Sequence, residues 1–207
     1  MQMPEQSDES PLHIWECERE WFDRNNYNYK QRRSELWRLL GLAEGDGYID
    51  SILEVGCGLG QNLQSLRGIM PASARLLGVE PNDYARTQAV ERTGIEIIKA
   101  DCFCLPLNTG SFDLVFTSGV LMHVPDRELV SALKELSRVG RQLLLIEYDA
   151  AETTEIVHHG KQHFLWKRPY EFALDAAGLH LTHKGPMGTG FDRCTYWIAK
   201  HSNDVKG

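Results

Sequence analysis

Short apolar runs recur along the chain, each closing on a polar or glycine-rich step. Ser51-Ile-Leu-Glu-Val opens the first, and Arg75 to Glu80 holds the second around Leu76-Leu-Gly-Val79. Ile95 to Lys99, Phe112 to Thr117 and Gln142 to Glu147 are the third, fourth and fifth. Unbroken apolar runs of this length fit parallel strands covered on both faces. The segments between them have helical spacing. Asn62 to Ile69 predicts a helix, and Asn82 caps another that runs to about Thr93, where Gly94 stops it. Asp126 begins a third that ends near Val139, with Leu129, Val130, Leu133 and Leu136 on one side. Pro169 to Ala177 predicts a further helix, and Leu179 to Lys184 and Thr195 to Lys200 close the chain as strands. Strands alternating with helices predict an α/β protein with a doubly wound, mostly parallel seven-stranded sheet.

The N-terminal part has a different pattern. Leu12 to Leu42 is helical in spacing, with one apolar cluster at Trp15, Trp21 and Phe22 and another at Leu36, Trp37, Leu39 and Leu40. Arg24-Asn-Asn-Tyr-Asn-Tyr29 between them predicts a break, and Lys30, Arg32 and Arg33 follow. The expected organisation is one domain over 1–207: a mobile tail at 1–11, a helical cap at 12–47 and a Rossmann-like core at 48–200.

Bulk properties narrow the partners. A formal net charge of −7 argues against a nucleic-acid surface, which is usually basic. No apolar stretch reaches the length of a membrane span, and Met1 to Ser10 is too polar for a signal peptide. The five cysteines include no C-x-x-C pair, so reduced thiols in a cytoplasmic protein are expected, without a disulfide framework. Oligomeric state is not legible.

The strongest chemical signal is Glu54-Val-Gly-Cys-Gly-Leu-Gly60, between the first strand and the first helix of the core. Glycines there let the backbone turn sharply and let a ligand lie against it. Dinucleotide binding wants G-x-G-x-x-G, but Gln61 stands where the third glycine should be. The pattern is instead E-x-G-x-G-x-G, and an acid two residues before the first glycine suits an ammonium group better than a pyrophosphate. This stretch resembles motif I of the class I S-adenosylmethionine-dependent methyltransferases. The resemblance implies a Rossmann-like methyltransferase fold and S-adenosyl-L-methionine as cofactor.

In a doubly wound sheet, ligands bind along the edge formed by the strand C-termini. Glu54, Gly56, Cys57, Gly58, Gly60 and Asn62 follow the first strand. Glu80, with Pro81 after it, ends the second strand and can accept from both ribose hydroxyls. Asp101 can accept from the adenine amino group, the Cys102 backbone N–H can reach a ring nitrogen, and Phe103 can lie against the base. Leu105-Pro-Leu and Gly110-Ser-Phe-Asp-Leu-Val-Phe116 further resemble the run that follows in class I methyltransferases. Ser118, Gly119, Val120 and His123 follow the fourth strand, toward the methionine part of the cofactor. Of the N-terminal segment, Tyr27, Tyr29 or Arg33 is expected near that methionine end, with the segment lying over the cleft.

Catalytic candidates are His123, Glu147 and Tyr148. His123 either serves as general base for a hydroxyl acceptor or orders its loop. Glu147 and Tyr148 end the fifth strand and are expected to face the acceptor. Lys167 and Arg168 can hold its carboxylate or phosphate. His158, His159 and His163 have metal-ligand character, but they fall in what reads as a loop with no partnered acid, and no metal is expected.

Several segments are similar to the methylases associated with pseudaminic acid biosynthesis. They are Trp15-Glu-Cys-Glu-Arg-Glu-Trp-Phe-Asp-Arg-Asn25, Ser118-Gly-Val-Leu-Met-His123, Leu145-Ile-Glu-Tyr148, His159-Gly160 with Leu165-Trp-Lys-Arg168, and Cys194-Thr-Tyr-Trp-Ile-Ala-Lys200. The chain departs from that branch in the order of His159-Gly160 and in Pro169-Tyr170 after Arg168. Membership implies a sugar or sugar-nucleotide acceptor. The expectation is methyl transfer to a small polar acceptor, at an oxygen of a sugar-like or acidic metabolite. The rival readings are a nicotinamide-dependent oxidoreductase, a cofactor-binding module without catalysis, and a tRNA or protein methyltransferase.

Overall fold

The computed structural model describes residues 19, 22, 29–45, 47–158, 161–188 and 194–202, without the side chains of 29–31, 158 and 161–164. The expected tail at 1–11, Trp15, Trp21, Tyr27 and His159 lie outside the described residues, as do the side chains of Tyr29, His158 and His163.

The elements follow in the order α1 (Tyr29–Glu44), β1 (Ser51–Val55), α2 (Gln61–Arg67), β2 (Arg75–Val79), α3 (Asp83–Thr93), β3 (Ile97–Ile98) and β4 (Phe112–Ser118). A short 3-10 turn at Leu121–His123 leads to α4 (Asp126–Val139) and β5 (Gly140–Tyr148). Then come β6 (Thr154–His158), β7 (Lys161–Lys167), α5 (Glu171–Ala176), β8 (Leu179–Pro186) and β9 (Cys194–His201).

Seven strands form one sheet in the order β3-β2-β1-β4-β5-β9-β8. The first five run parallel, and β9 pairs antiparallel with both β5 and β8. This is the doubly wound α/β sheet that the alternating pattern predicts. Chain progression reverses between β1 and β4, which opens a crevice at their C-terminal ends.

Alternate strand residues feed two cores, one on each face. Leu53, Val55, Leu143, Leu145 and Trp197 pack with Leu129, Leu133 and Leu136 of α4 and with α5. Ile52, Leu114, Phe116, Leu144, Ile146 and Ile198 pack on the other face with Leu36, Leu39 and Leu40 of α1 and with Leu63 and Leu66 of α2. α1 is therefore part of the main core through one apolar stripe.

Opposite the crevice, Asp113 pins the start of β1. Its Oδ2 accepts from the backbone N–H of Asp50 and Ser51 and from the Ser51 hydroxyl, and Arg141 pairs with Oδ1. Burial pushes this carboxyl up, but those donors and Arg141 bring it below the usual carboxylate value.

Two expectations are corrected. The stretch from His158 toward Arg168 reads as a loop in the sequence, yet β6 and β7 pair antiparallel as a separate two-stranded sheet. The β-branched Thr154, Ile156 and Val157 favour extended backbone, and the surrounding charges mask that preference. The third strand is also shorter than predicted, with only Ile97 and Ile98 paired to Gly78 and Val79.

Candidate active site

The bend after β1 is held by its neighbours. Gly56 and Cys57 both donate to the Val79 carbonyl at the end of β2, at 2.8 and 3.0 Å. Gly56, Gly58 and Gly60 all have positive φ, between 51° and 79°. Two of them have opposite reasons for lacking a side chain. A Cβ on Gly56 would overlap Val120, which follows β4, so this glycine lets the two loops of the crevice touch. A Cβ on Gly58 would meet nothing within 4 Å, so the backbone there is open for a ligand to approach.

Glu54 lies below this bend and is 1% exposed. Its Oε1 accepts from Asn62 Nδ2 at 2.7 Å, and Asn62 Oδ1 accepts from Arg32 Nη1 at 3.0 Å. Its Oε2 is buried without a partner. Burial pushes the carboxyl up to about 8, although Asn62 and the charge of Arg32 act against it. An orphaned, buried carboxylate oxygen of this kind is matched to a cation with its own N–H donors.

Glu80 stands at the same bend after β2. Its Oε2 accepts from Gly58 N at 2.8 Å and its Oε1 from Asn82 N at 2.9 Å. Burial raises it to about 6 against these two donors. Pro81 beside it is half-buried. Asp101 uses Oδ1 to accept from Phe103 N and Cys104 N at 2.8 and 3.2 Å, which fixes the loop after β3. Cys102 is buried and Phe103 half-buried beside it. Burial keeps the thiols of Cys57 and Cys102 protonated, so both act as apolar packing groups.

The N-terminal segment reaches this side too. Phe22 packs with Leu59 of the bend and Ala85 of α3. Arg33, expected near the methionine end, instead lies against Gly68 at the far end of α2. Its neighbour Arg32 is the one that reaches Asn62. Arg32 sits four residues before buried Leu36, so it shares the stripe that α1 turns toward the sheet, a signal available in the sequence.

Across the crevice, Ser118 is half-buried, and Gly119 N donates to the Ile146 carbonyl at 2.9 Å. Glu147 is 0% exposed. Its Oε1 accepts from the Thr117 hydroxyl, Val120 N and Leu121 N at 2.9, 3.1 and 3.1 Å, and its Oε2 from Met122 N at 3.2 Å. Burial raises this carboxyl while all four donors lower it. Glu147 therefore faces the turn after β4. His123 closes that turn, with its backbone N–H on the Val120 carbonyl and the residue 4% exposed. Tyr148 is half-buried, and Lys167 Nζ lies 5.5 Å from its ring centroid. Arg168 is 1% exposed and pairs with Asp126 at 2.6 Å. Asp126 and Tyr170, beside Arg168, are absent from the residues picked out of the sequence. Asp126 there marks only the start of α4, and Tyr170 only a departure from a resemblance.

The sheet thus brings Glu54, Glu80 and Asp101 onto one edge, with the glycine bend and the Ser118–His123 turn facing each other across the crevice. Residues 53–143 match the model of a methyltransferase domain. The matched stretch runs from β1 into β5, and the sheet around it has the Rossmann-like methyltransferase fold. The chain is 32% identical over 105 residues to an uncharacterized 37.1 kDa protein in transposon TN4556 of Streptomyces fradiae, covering 48% of this chain and 30% of that one. It is 27% identical over 136 residues to demethylmenaquinone methyltransferase of Lactococcus lactis, covering 61% of this chain and 53% of the other. The chain thus spans about a third to a half of the length of these relatives. Among solved structures, the sugar N-methyltransferase KedS8 from Streptoalloteichus shares the fold, with a TM-score of 0.69, 18% identity, and 89% and 93% of the two chains covered.

The residues present fit S-adenosyl-L-methionine. The unpartnered Glu54 Oε2 meets the need of an ammonium, and the open side of Gly58 leaves its backbone accessible. Among the described residues no helix is long and apolar enough to cross a membrane, and no group of three or more His, Cys, Asp and Glu side chains is placed to hold a metal.

Proposed function

We propose that this protein transfers a methyl group from S-adenosyl-L-methionine to a small polar acceptor, at an oxygen of a sugar-like or acidic metabolite, as a single-domain enzyme of the cytoplasm. The observation that carries the cofactor half of this reading is the orphaned Oε2 of buried Glu54 beside the open Gly58. When bound, the cofactor supplies an electrophilic methyl on a sulfonium. Everything else is alignment and exclusion of water, which this chain's residues provide.

Glu54, oriented by Asn62 and Arg32, holds the ammonium. Gly56 to Gly60 supply backbone contact, Glu80 the ribose contact, and Asp101, Cys102 and Phe103 the adenine contacts. The turn from Ser118 to His123 borders the methionine part. Glu147 has its four donors in place, so we assign it to holding that turn and not to taking a proton. For a hydroxyl acceptor the base is then His123, with Tyr148 at the acceptor side. The similarity to pseudaminic acid-associated methylases and the sugar substrate named for the KedS8 fold relative both favour a sugar-like acceptor.

The test is incubation with isotopically labelled S-adenosyl-L-methionine and a polar metabolite extract, followed by mass spectrometry. The expected result is one sugar-like or acidic compound gaining the labelled methyl. Cofactor binding without any labelled product would reject the catalytic reading, and label entering only RNA or protein would reject the small acceptor.

A further inference from the structure

We propose that the acceptor side of the crevice carries a carboxylate-binding site, formed by the Nε/Nη2 edge of Arg168 with the hydroxyl of Tyr170. The methyl acceptor is then a carboxylate-bearing molecule; this second step rests on the methyl-transfer reading, whereas the anion site does not.

Arg168 spends only Nη1 on a partner, Asp126 Oδ1 at 2.6 Å. Its Nε and Nη2 are buried with no partner, and so is the hydroxyl of Tyr170, a residue 0% exposed. Nε and one Nη of a guanidinium point their N–H bonds in parallel along one edge, the spacing that two carboxylate oxygens accept. Buried donors left unmet destabilise the folded protein, most of all on a charged group. A carboxylate can meet both guanidinium donors at once, and the Tyr170 hydroxyl, two residues along the chain, is assigned to the same anion.

The cluster stands at the acceptor edge. Arg168 N donates to the Tyr148 carbonyl at 3.4 Å, at the end of β5. The side chain of Asp126 is 61% exposed, so the guanidinium lies one side chain below the surface. Trp166 and Trp197 hold the two donors in place: the Arg168 Cζ is 5.4 Å from the Trp166 ring centroid, and the Tyr170 and Trp197 rings are 4.9 Å apart. Burial pushes the Tyr170 phenol well up, Glu147 adds to this and the Arg168 charge opposes it, which places all three within electrostatic reach. The same surroundings separate carboxylate from phosphate. Asp126 already shares the guanidinium and the Glu147 carboxylate is near Tyr170, so a phosphate dianion meets more repulsion than a carboxylate monoanion.

The full chain, first titrated with S-adenosylhomocysteine and then kept saturated with it, is titrated calorimetrically with D-glucuronate, D-glucose and D-glucose 6-phosphate. Glucuronate is expected to bind at least ~10-fold more tightly than glucose and more tightly than the 6-phosphate, the ratio set by one charge-assisted bidentate contact. Tyr170→Phe should weaken glucuronate binding by roughly 5-fold, as expected for one lost hydrogen bond, and leave the S-adenosylhomocysteine affinity unchanged. Arg168→Gln should erase the preference for the anion, and Arg168→Lys should restore part of it. Equal binding of glucuronate and glucose, preference for the phosphate, or a Tyr170→Phe variant that keeps the full glucuronate preference would each overturn the site. Absence of S-adenosylhomocysteine binding in the first titration would instead sink the methyl-transfer reading and leave an observed anion preference standing.

Discussion

Glu54 and Glu147 end two strands of the same sheet, β1 and β5, and both are almost fully buried, yet their surroundings differ. Glu147 accepts four hydrogen bonds, all from residues 117–122. Glu54 has the Asn62 side chain on Oε1, with a further backbone contribution from Leu63, and its Oε2 has no partner. Both carboxyls are raised by burial, but only Glu147 has a full set of donors to answer it. Glu147, with its donors supplied by the adjoining turn, holds the fold. Glu54, with one oxygen unmet, is shaped for something that arrives. Residue type and strand position do not separate the two cases, whereas the count of donors does.

Replacing Glu147 should have the largest effect on stability. Glu147→Ala strands three backbone N–H groups and a hydroxyl, at about 1–3 kcal/mol for each buried group left unsatisfied, so ~4 kcal/mol or more is expected in urea unfolding. Glu147→Gln keeps one carbonyl acceptor and should cost roughly half as much. Equal stability of the alanine variant and the parent would contradict the assignment.

Glu54→Gln should do the reverse. Its amide replaces a carboxyl that is mostly protonated near neutrality in the cofactor-free protein, so the fold loses little, while affinity for S-adenosyl-L-methionine falls by about 10- to 100-fold, the value of a charge-assisted contact of about 1.5–3 kcal/mol. Calorimetry and urea unfolding on the same sample separate the two effects.

The pH dependence sharpens the contrast. Glu54 has a folded value of about 8 against an ordinary 4.5, so between those limits the folded state keeps a proton that the unfolded state has lost. Stability of the cofactor-free protein should therefore fall as pH rises from about 5 to 8. Glu80, at about 6, adds to the lower part of that window. Glu54→Gln should flatten the upper part, and urea midpoints at pH 6 and pH 8 read the difference. An unchanged slope in the variant would be evidence against a protonated Glu54.

Asp113 gives the smallest and opposite effect. Its folded value is lowered, so its contribution is present above the unfolded carboxylate value and fades as pH falls through the folded one. Asp113→Asn should cost about 1 kcal/mol near neutrality, the size of a partly exposed hydrogen-bonded charge, and the deficit should vanish in acid.

Much of this edge was legible in the residues. The apolar runs fixed which segments are strands, because parallel strands buried on both faces leave no polar alternation to misread. The spacing from Glu54 through Glu80 to Asp101 then followed, since each strand end falls on the same rim. What escaped was whatever depends on a partner far away in sequence. Glu147 reads as an acid pointing at an acceptor until the donors of residues 117–122 fold over it. Arg32 and Arg33 are adjacent and chemically alike, and only the crossing of α1 over α2 sends one to Asn62 and the other to Gly68. The β6–β7 hairpin escaped because its β-branched residues sit among charges.

The most direct test is proton-linked calorimetry of S-adenosylhomocysteine binding at pH 7, in buffers that differ in ionisation enthalpy. Glu54 near 8 is mostly protonated before binding and must ionise to hold the ammonium, so roughly one proton should be released per site. The Glu54→Gln variant should bind more weakly and release none. Binding with no proton release, or with the same release in the variant, would show that the ammonium is held elsewhere.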